Sequence, residues 1–137
     1  TNPGEAVHPL VKVASGGEVS RIMLAMKTVL AHTDSVQVLI FDEIDLGISG
    51  RIAEVVGRQL KALSGSYQTI SITHLPQIAK MADVHFSVRK KTSRGRTVTR
   101  VDVLAGDDRA EELAKMMGGE TISDLTMEHA REMLEEK

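Results

Sequence analysis

The stretch that most constrains the fold is an apolar run that ends in adjacent carboxylates, within residues 38–45. Its apolar and β-branched residues predict a buried strand, and Asp42 and Glu43 follow directly at the carboxyl end. Open α/β sheets bind their ligands at this edge. One such carboxylate could hold Mg²⁺ through water, and its neighbour could orient or deprotonate a water that attacks a phosphate. A strand that ends in a solvated acidic turn is the plainer interpretation.

The composition excludes several kinds of site and partner. The 137 residues are enough for a single domain with its own core, and no linker divides them. The absence of cysteine excludes disulfides and thiolate metal sites and fits a reducing compartment. With a formal charge of -2, any contact with DNA requires a local basic patch. No apolar run approaches the ~20 residues of a membrane span, so we expect a soluble, cytoplasmic chain that contacts no membrane.

A second candidate site is a Ser-Gly-Gly turn that precedes a long helical pattern. Apolar residues recur with helical spacing from Val19 to Leu30, and Ser15 or Gly17 falls near the expected N-cap. Backbone N–H groups, glycines without a Cβ and the positive end of the helix dipole together favour an anion. A plain helix cap is the alternative. Residues 10–13, just before this turn, are predicted to be extended.

A strand, helix, strand order follows the apolar run. Helical spacing continues over residues 51–63, and β-branched residues mark a second strand over residues 67–73. This order predicts parallel neighbours joined by a right-handed crossover. Because parallel strands end at the same edge of a sheet, we expect His74 to converge with Asp42 and Glu43. A histidine there could donate to a phosphate, or it could make an ordinary structural hydrogen bond.

The last third of the chain predicts a basic hairpin and two helices. Residues 83–89 and 97–104 alternate weakly and are separated by a long basic tip, and helices begin after Gly106 and after Ser123. The hairpin could bind a DNA backbone, or its charges could simply protect an edge strand from aggregation. The basic residues concerned are Arg89, Lys90, Lys91, Arg94, Arg96 and Arg100. The predicted fold class is therefore α/β, with parallel strands, crossover helices, an antiparallel edge hairpin and C-terminal helices.

Three motifs in a fixed order resemble those of ABC-type ATPase heads. They are Ala-Ser-Gly-Gly-Glu at residues 14–18, the acidic strand and loop at residues 38–50, and Ile-Thr-His at residues 72–74. They correspond to a signature motif, a Walker B strand with its D-loop, and a switch histidine. The residues in and between them resemble the RecN family of bacterial DNA repair proteins, which are SMC-like, essentially from end to end. The resemblance implies that residues 1–137 form the C-terminal lobe of a P-loop ABC/SMC-type ATPase head.

One motif of ABC-type ATPase heads, the Walker A loop, is absent from the sequence. The chain contains no Gly-x-x-x-x-Gly-Lys-Ser/Thr, so the Walker A loop that cradles the α- and β-phosphates is missing. In the family that loop lies in an N-terminal half, which a long coiled coil separates from this one. The resemblance therefore implies a C-terminal fragment with an incomplete site, which we expect to be inactive alone.

The resemblance also implies ATP and Mg²⁺ as cofactors and assigns a role to each motif. Asp42 would hold Mg²⁺ through water, Glu43 would activate the hydrolytic water, and His74 would contact the γ-phosphate. The signature residues that would bind a nucleotide held by the opposite head are Ser15, Gly16, Gly17 and Glu18. The D-loop residues that would cross the interface between heads are Asp45, Gly47, Ser49 and Gly50.

The implied function is ATP-driven engagement of heads, then hydrolysis and release, during recombinational repair of DNA double-strand breaks. The implied partners are the N-terminal Walker A half of the same protein, a second head in a homodimer, and DNA, with a cytoplasmic, nucleoid-associated location. Another ABC or SMC-type head is one alternative, although transporter heads usually have Asp-Glu-Pro-Thr where residues 42–45 read Asp-Glu-Ile-Asp. A non-catalytic interaction domain with structural acids and glycines is the other.

Overall fold

A parallel strand pair and an antiparallel hairpin, with helices between and after them, give the chain an α/β fold. The computed structural model describes residues 8–30, 35–93, 95–119 and 121–136. The helices are Leu10–Val13 (α1), Gly16–Val29 (α2), Gly50–Leu63 (α3), Pro76–Ala79 (α4), Gly106–Gly118 (α5) and Asp124–Glu135 (α6). The strands are Val38–Phe41 (β1), Gln68–Ser71 (β2), His85–Ser93 (β3) and Arg96–Leu104 (β4). The predicted fold class is confirmed.

The parallel pair places the ends of both strands at one edge. Strand β1 pairs with β2 in register from Val38 opposite Gln68 to Phe41 opposite Ser71, and α3 connects them. The second strand is shorter than predicted, so Thr73 and His74 lie in the loop that follows it. The predicted parallel arrangement is confirmed, and the polar residues that follow each strand share one rim of the sheet.

The two faces of this strand pair differ. On the inner face Phe41 packs with Leu24 of α2 and Leu60 of α3 in one buried cluster, which also includes Ile44 from the turn after β1. On the outer face the apolar side chains are 45–66% exposed. These outer residues are Val38, Ile40, Ile70 and Ile72. The inner face therefore anchors the turn after β1, whereas the outer face is an exposed apolar surface.

The N-terminal segment differs from the prediction. Residues 10–13 form one helical turn, α1, rather than an extended approach. Its amide hydrogen bonds are local: Lys12 donates to Pro9 O over 2.9 Å and Ala14 donates to Leu10 O over 2.9 Å. Pro9 precedes the turn with φ −55°, which favours a helix start. These local bonds outweigh the β propensity of the valines from which an extended segment was predicted.

The hairpin also differs, because its strands are longer than predicted. Lys90 pairs with Thr99 and Lys91 with Val98, so both lysines lie within β3. The pairing continues to Ser93, and Gly95 with φ +75° allows a tight turn. The prediction of a long basic tip was therefore wrong. Arg94, which was assigned to that tip, lies outside the described residues.

The C-terminal helices pack in a second cluster. Helices α5 and α6 bury Ala110, Leu113, Ala114 and Ala130 together with Ala79 of α4. The buried guanidinium of Arg109 donates to Lys80 O over 3.1 Å, which ties α5 to the end of α4. Both helices were predicted, and Ser123 is the N-cap of α6. Within the described ranges, no helix combines the length and the apolar character that crossing a membrane requires.

Candidate nucleotide-binding edge

The acidic turn follows β1 at the carboxyl edge of the strand pair. Asp42 and Glu43 are exposed, and the Glu43 amide donates to Asp42 Oδ1 over 2.9 Å. The turn closes when the Leu46 amide donates to Glu43 O over 3.0 Å. Glu43 has φ +56°, a left-handed conformation that costs a residue with a side chain on the order of 1 kcal/mol or more. Strain at a proposed catalytic residue is typical of functional sites.

The Ser-Gly-Gly turn forms the start of α2 with a complete capping box. Ser15 Oγ accepts the Glu18 amide over 3.4 Å, and the Ser15 amide donates to Glu18 Oε2 over 2.7 Å. These hydrogen bonds, first the Ser15 amide and then its hydroxyl, lower the pKa of Glu18. Ser15 is therefore the N-cap, and Glu18 serves this cap. The amides that open a helix lack intrahelical acceptors and suit an anion.

The two glycines of this turn are also required by packing within the chain. A Cβ on buried Gly17 would lie 2.8 Å from Glu43 O and 2.9 Å from Leu46 O. A Cβ on Gly16 would lie 2.3 Å from Glu43 Oε2. The structure thus brings the start of α2 directly against the acidic turn. The acidic turn therefore leaves no room for a Cβ at either position. This is a second reason for glycine there, in addition to the close approach of a phosphate that was inferred from the sequence.

Two residues of α2 that the sequence analysis did not single out hold the acidic turn. Ser20 Oγ donates to Asp42 O over 2.8 Å. Arg21 Nη1 donates to Ile44 O over 3.1 Å and to Leu46 O over 2.9 Å. Arg21 lies four residues after Gly17 and three before Leu24, which places it on the buried face of the helix. A charged residue on the buried face of a helix usually has a partner, and this was the sequence signal that could have identified Arg21.

His74 binds Asp45 rather than the acids with which it was expected to converge. The imidazole Nδ1 lies 2.9 Å from Asp45 Oδ2, and the same oxygen accepts the His74 amide over 2.8 Å. Thr73 Oγ1 donates to it over 2.6 Å. The expected convergence of His74 with Asp42 and Glu43 stays a prediction, and the contact that the structure adds is with Asp45, a third acid of the same turn. Asp45 supplies the contact because it points inward from the turn, whereas Asp42 and Glu43 are exposed.

Asp45 is the buried acid of the site, with 6% of its side chain exposed. Burial raises its pKa, but the hydrogen bonds from Thr73 and His74 and the charge of His74 outweigh burial and hold the pKa below its ordinary value. The His74 side chain is 73% exposed. The Asp45 carboxylate therefore orients His74 from inside the chain, while the imidazole faces outward.

The rest of the predicted D-loop is exposed. Gly47 and Gly50 have positive φ angles of +76° and +49°, and a Cβ on either would meet nothing within 4 Å. Backbone conformation rather than crowding therefore favours glycine at both positions. Ser49 precedes α3 in an extended conformation. This exposed segment lies beside the His74 loop and is accessible to a second molecule.

Asp42 is the exposed carboxylate of the acidic edge that could hold a magnesium ion. Asp42 is exposed, and its Oδ1 accepts the Glu43 amide. Its other carboxylate oxygen could still bind a metal ion. Across the residues that the structure describes, no three His, Cys, Asp or Glu side chains group as a metal site. Mg²⁺ is commonly bound through one or two carboxylates together with waters and substrate phosphates. Asp42 suits that mode of binding.

No protein-family model matches the chain. Curated proteins named DNA repair protein RecN match it, with 52% identity over 97% of the chain for Deinococcus radiodurans and 48% over 98% for Halalkalibacterium halodurans. The Bacillus subtilis protein of the same name is 44% identical over 99% of the chain. The chain spans about a quarter of the length of these relatives, 23–24%.

A solved structure is also similar. It comes from work on the ATP-driven dimerization and DNA-stimulated activation of SMC ATPases, and it matches with a TM-score of 0.57. The identity is 23%, and the match covers 86% of this chain and 70% of that one. At this identity the similarity establishes the α/β fold of an SMC ATPase head. The 44–52% identity to curated relatives over nearly all of its residues shows that the chain belongs to the RecN family of DNA repair proteins.

Proposed function

We propose that this chain is the C-terminal half of an SMC-like ATPase head that binds and hydrolyses ATP at an interface between two heads. The observation that carries the proposal is the packing of the Ser-Gly-Gly helix start on the acidic turn, beside the His74 loop. A phosphate-binding helix start, two exposed acids and a histidine at one sheet edge are the groups that phosphoryl transfer to water needs.

Nucleotide binding would require a second lobe. The first amides of α2, at Gly16 and Gly17, and the positive end of its dipole suit the γ-phosphate. The sequence contains no Walker A motif to hold the other phosphates. The nucleotide would therefore be held by the opposite head and would meet Ser15 and the glycines from outside this chain.

Each acidic-edge residue has a distinct task in this proposal. Glu43 would accept a proton from the attacking water and orient it, and Asp42 would hold Mg²⁺, which neutralises developing phosphate charge when bound. The Nδ1–H of His74 donates to Asp45, so Nε2 is presented outward. Asp45 would fix the orientation of the ring so that Nε2 faces a phosphate oxygen.

The exposed apolar surface supports a missing lobe as partner. The outer side chains of β1 and β2 are 45–66% exposed, and Phe86, Val88, Val101 and Val103 on one face of the hairpin are 56–65% exposed. Soluble proteins rarely leave contiguous apolar faces uncovered. Since the chain corresponds to about a quarter of its relatives' length, we propose that the N-terminal Walker A half covers the strand pair.

The role in DNA repair rests on the relatives. The curated proteins are named for DNA repair, and the SMC work concerns DNA-stimulated activation. We propose that the cycle serves recombinational repair of double-strand breaks at the nucleoid. On the hairpin, Arg89 and Arg100 are paired with Glu112 and Asp102, so a DNA contact there would fall to Lys90, Lys91 and Arg96.

The test is Glu43→Gln in the full-length protein. We expect ATP affinity to change less than about threefold, turnover to fall by at least about a hundredfold, and engaged dimers to accumulate in light scattering with ATP. Glu54→Gln is the matched control, because Glu54 pairs with Arg58 on the exposed face of α3. Normal turnover in Glu43→Gln would remove Glu43 from its proposed role.

A non-catalytic interaction domain is the second candidate. The capping box and the crowding at Gly16 and Gly17 favour it, because they account for these residues structurally without any ligand. Under this alternative the full-length protein would associate equally with and without ATP. Nucleotide-dependent light scattering therefore separates the two candidates.

A further inference from the structure

We infer that Arg21 is a positioning residue that fixes the acidic turn to the start of α2. The inference rests on the proposed function and extends it to a residue outside the motifs. Arg21 does not belong to the Ser-Gly-Gly turn or to the acidic turn, yet one of its nitrogens binds the second of these at two points, Ile44 O and Leu46 O. Its side chain acts on the backbone of the site.

These two bonds hold the segment from which the functional acids project. The carbonyls of Ile44 and Leu46 flank Asp45, and Glu43 immediately precedes them. The Ser20 hydroxyl adds a third bond to the same segment, at Asp42 O over 2.8 Å. A charged guanidinium makes stronger hydrogen bonds than a neutral donor, and its planar shape fixes their directions. The backbone of residues 42–46 is therefore tied to one turn of α2.

The same contacts explain how the strained conformation of Glu43 persists. A residue with φ +56° holds that conformation only if its surroundings impose it. The bonds to Asp42 O on one side and to Ile44 O and Leu46 O on the other supply that constraint. Without Arg21 the turn would lose two of these three bonds, and Glu43 could relax toward a commoner conformation with its carboxylate displaced.

Arg21 also links the Ser-Gly-Gly turn, which would bind the phosphate, to the acidic turn, which carries Glu43. A Cβ on Gly17 would lie 3.0 Å from Arg21 Nη1 as well as against Glu43 O and Leu46 O, so the guanidinium fills the corner between helix and turn. The Ser-Gly-Gly turn and the acidic turn thus behave as one rigid piece. A phosphate that docks on the first would set the place of the second, and with it Glu43, without contacting Arg21.

The test compares Arg21→Met and Arg21→Lys in the full-length protein. Methionine keeps a long stem but removes both hydrogen bonds, whereas lysine keeps a charged donor that can reach one carbonyl. We expect Arg21→Met to lower kcat by between about tenfold and about a hundredfold, as a misplaced catalytic group does, with KM for ATP changed by less than about threefold. Arg21→Lys should recover part of the loss. Arg58→Met is the matched control, because Arg58 pairs with Glu54 on the exposed face of α3.

The outcomes separate this inference from the proposed function. If Glu43→Gln abolishes turnover while Arg21→Met and Arg21→Lys keep the wild-type kcat, the positioning role of Arg21 is refuted and the ATPase stands. If Glu43→Gln itself keeps turnover, the proposed function fails first. Should Arg21→Met be insoluble, a drop in kcat at constant KM in Arg21→Lys supports the role, and an unchanged kcat in soluble Arg21→Lys refutes it.

Discussion

His74 and Asp45 meet at the carboxyl edge of the parallel pair, with Nδ1 of one lying 2.9 Å from Oδ2 of the other. The residues belong to the loops that follow β2 and β1, so the pair joins the two loops across the rim. Thr73 donates to the same oxygen over 2.6 Å, so one carboxylate oxygen, the Asp45 hub, accepts from two residues of the loop after β2. A change at Asp45 should therefore affect both loops.

Asp45→Ala should destabilise the chain and impair the site together. The substitution leaves the Thr73 hydroxyl and the His74 amide without their acceptor, which costs about 1–3 kcal/mol in the free energy of unfolding. Urea unfolding of the chain measures this cost. The control is Asp102→Ala, which removes an ion pair with exposed Arg100 and should cost at most about 1 kcal/mol. Equal losses for the two variants would contradict the importance of the Asp45 hub.

Ser15→Ala should separate helix capping from nucleotide engagement. Both Ser15 and Ser123 cap a helix with a side-chain oxygen, so their replacement by alanine should cost similar stability, about 1 kcal/mol each. In the full-length protein, only Ser15→Ala should weaken ATP-dependent association of heads, because Ser123 caps α6, a helix that packs in the second cluster. If the two variants engage equally well with ATP, Ser15 is a cap and nothing more.

Gly17→Ala should destabilise the chain although alanine is the better helix former. The added methyl would sit 2.8 Å from Glu43 O and 2.9 Å from Leu46 O, and such overpacking costs about 1–3 kcal/mol. Gly65→Ala is the control, since its Cβ would approach Ala62 O only to 3.4 Å and should change stability by less than about 0.5 kcal/mol. A stabilised Gly17→Ala chain would show that the start of α2 stands farther from the acidic turn.

His85 should make stability depend on pH in mildly acidic solution. Burial, and then the charge of Arg109, lowers its pKa, although Glu112 opposes the shift. The unfolded chain therefore binds a proton more readily, so stability is full above the ordinary histidine pKa of about 6.5 and falls as the pH drops through the lowered folded value.

The measurement compares urea midpoints of the wild-type chain and His85→Gln between about pH 7.5 and about pH 5.5. The wild-type chain should lose up to about 1.4 kcal/mol per pH unit more than His85→Gln over the part of this range below the unfolded pKa. His129→Gln, on the exposed face of α6, is the control and should follow the wild type. Identical pH profiles for the wild type and His85→Gln would contradict the burial argument.

The sequence was sufficient for the longer helices and for the shared edge of the parallel strands. Helical spacing predicted α3, α5 and α6, and the strand, helix, strand order predicted the parallel pairing that the structure contains. The motifs predicted the family. These features depend on local periodicity and on topology, both of which can be inferred from one chain.

Side-chain pairing within the site could not be predicted in the same way. Parallel topology places His74 near the acids after β1, but which acid it meets depends on the path of a turn in which Glu43 has φ +56°. Arg21 and Ser20 were missed because their targets are backbone carbonyls; the helical spacing places Arg21 on the buried face but does not show which groups it contacts. The α1 turn was missed because local hydrogen bonds overrode strand propensity.

Phosphate release tests the central claim, that this chain is half of a nucleotide site, most directly. The rate is measured for the purified chain, for the N-terminal Walker A half, and for their mixture, with Ile40→Lys as a variant that places a charge on the exposed outer face of β1. We expect negligible release from either half alone, ATP turnover in the mixture, and loss of that turnover with Ile40→Lys. Release by the purified chain alone at the rate of the mixture would contradict the claim.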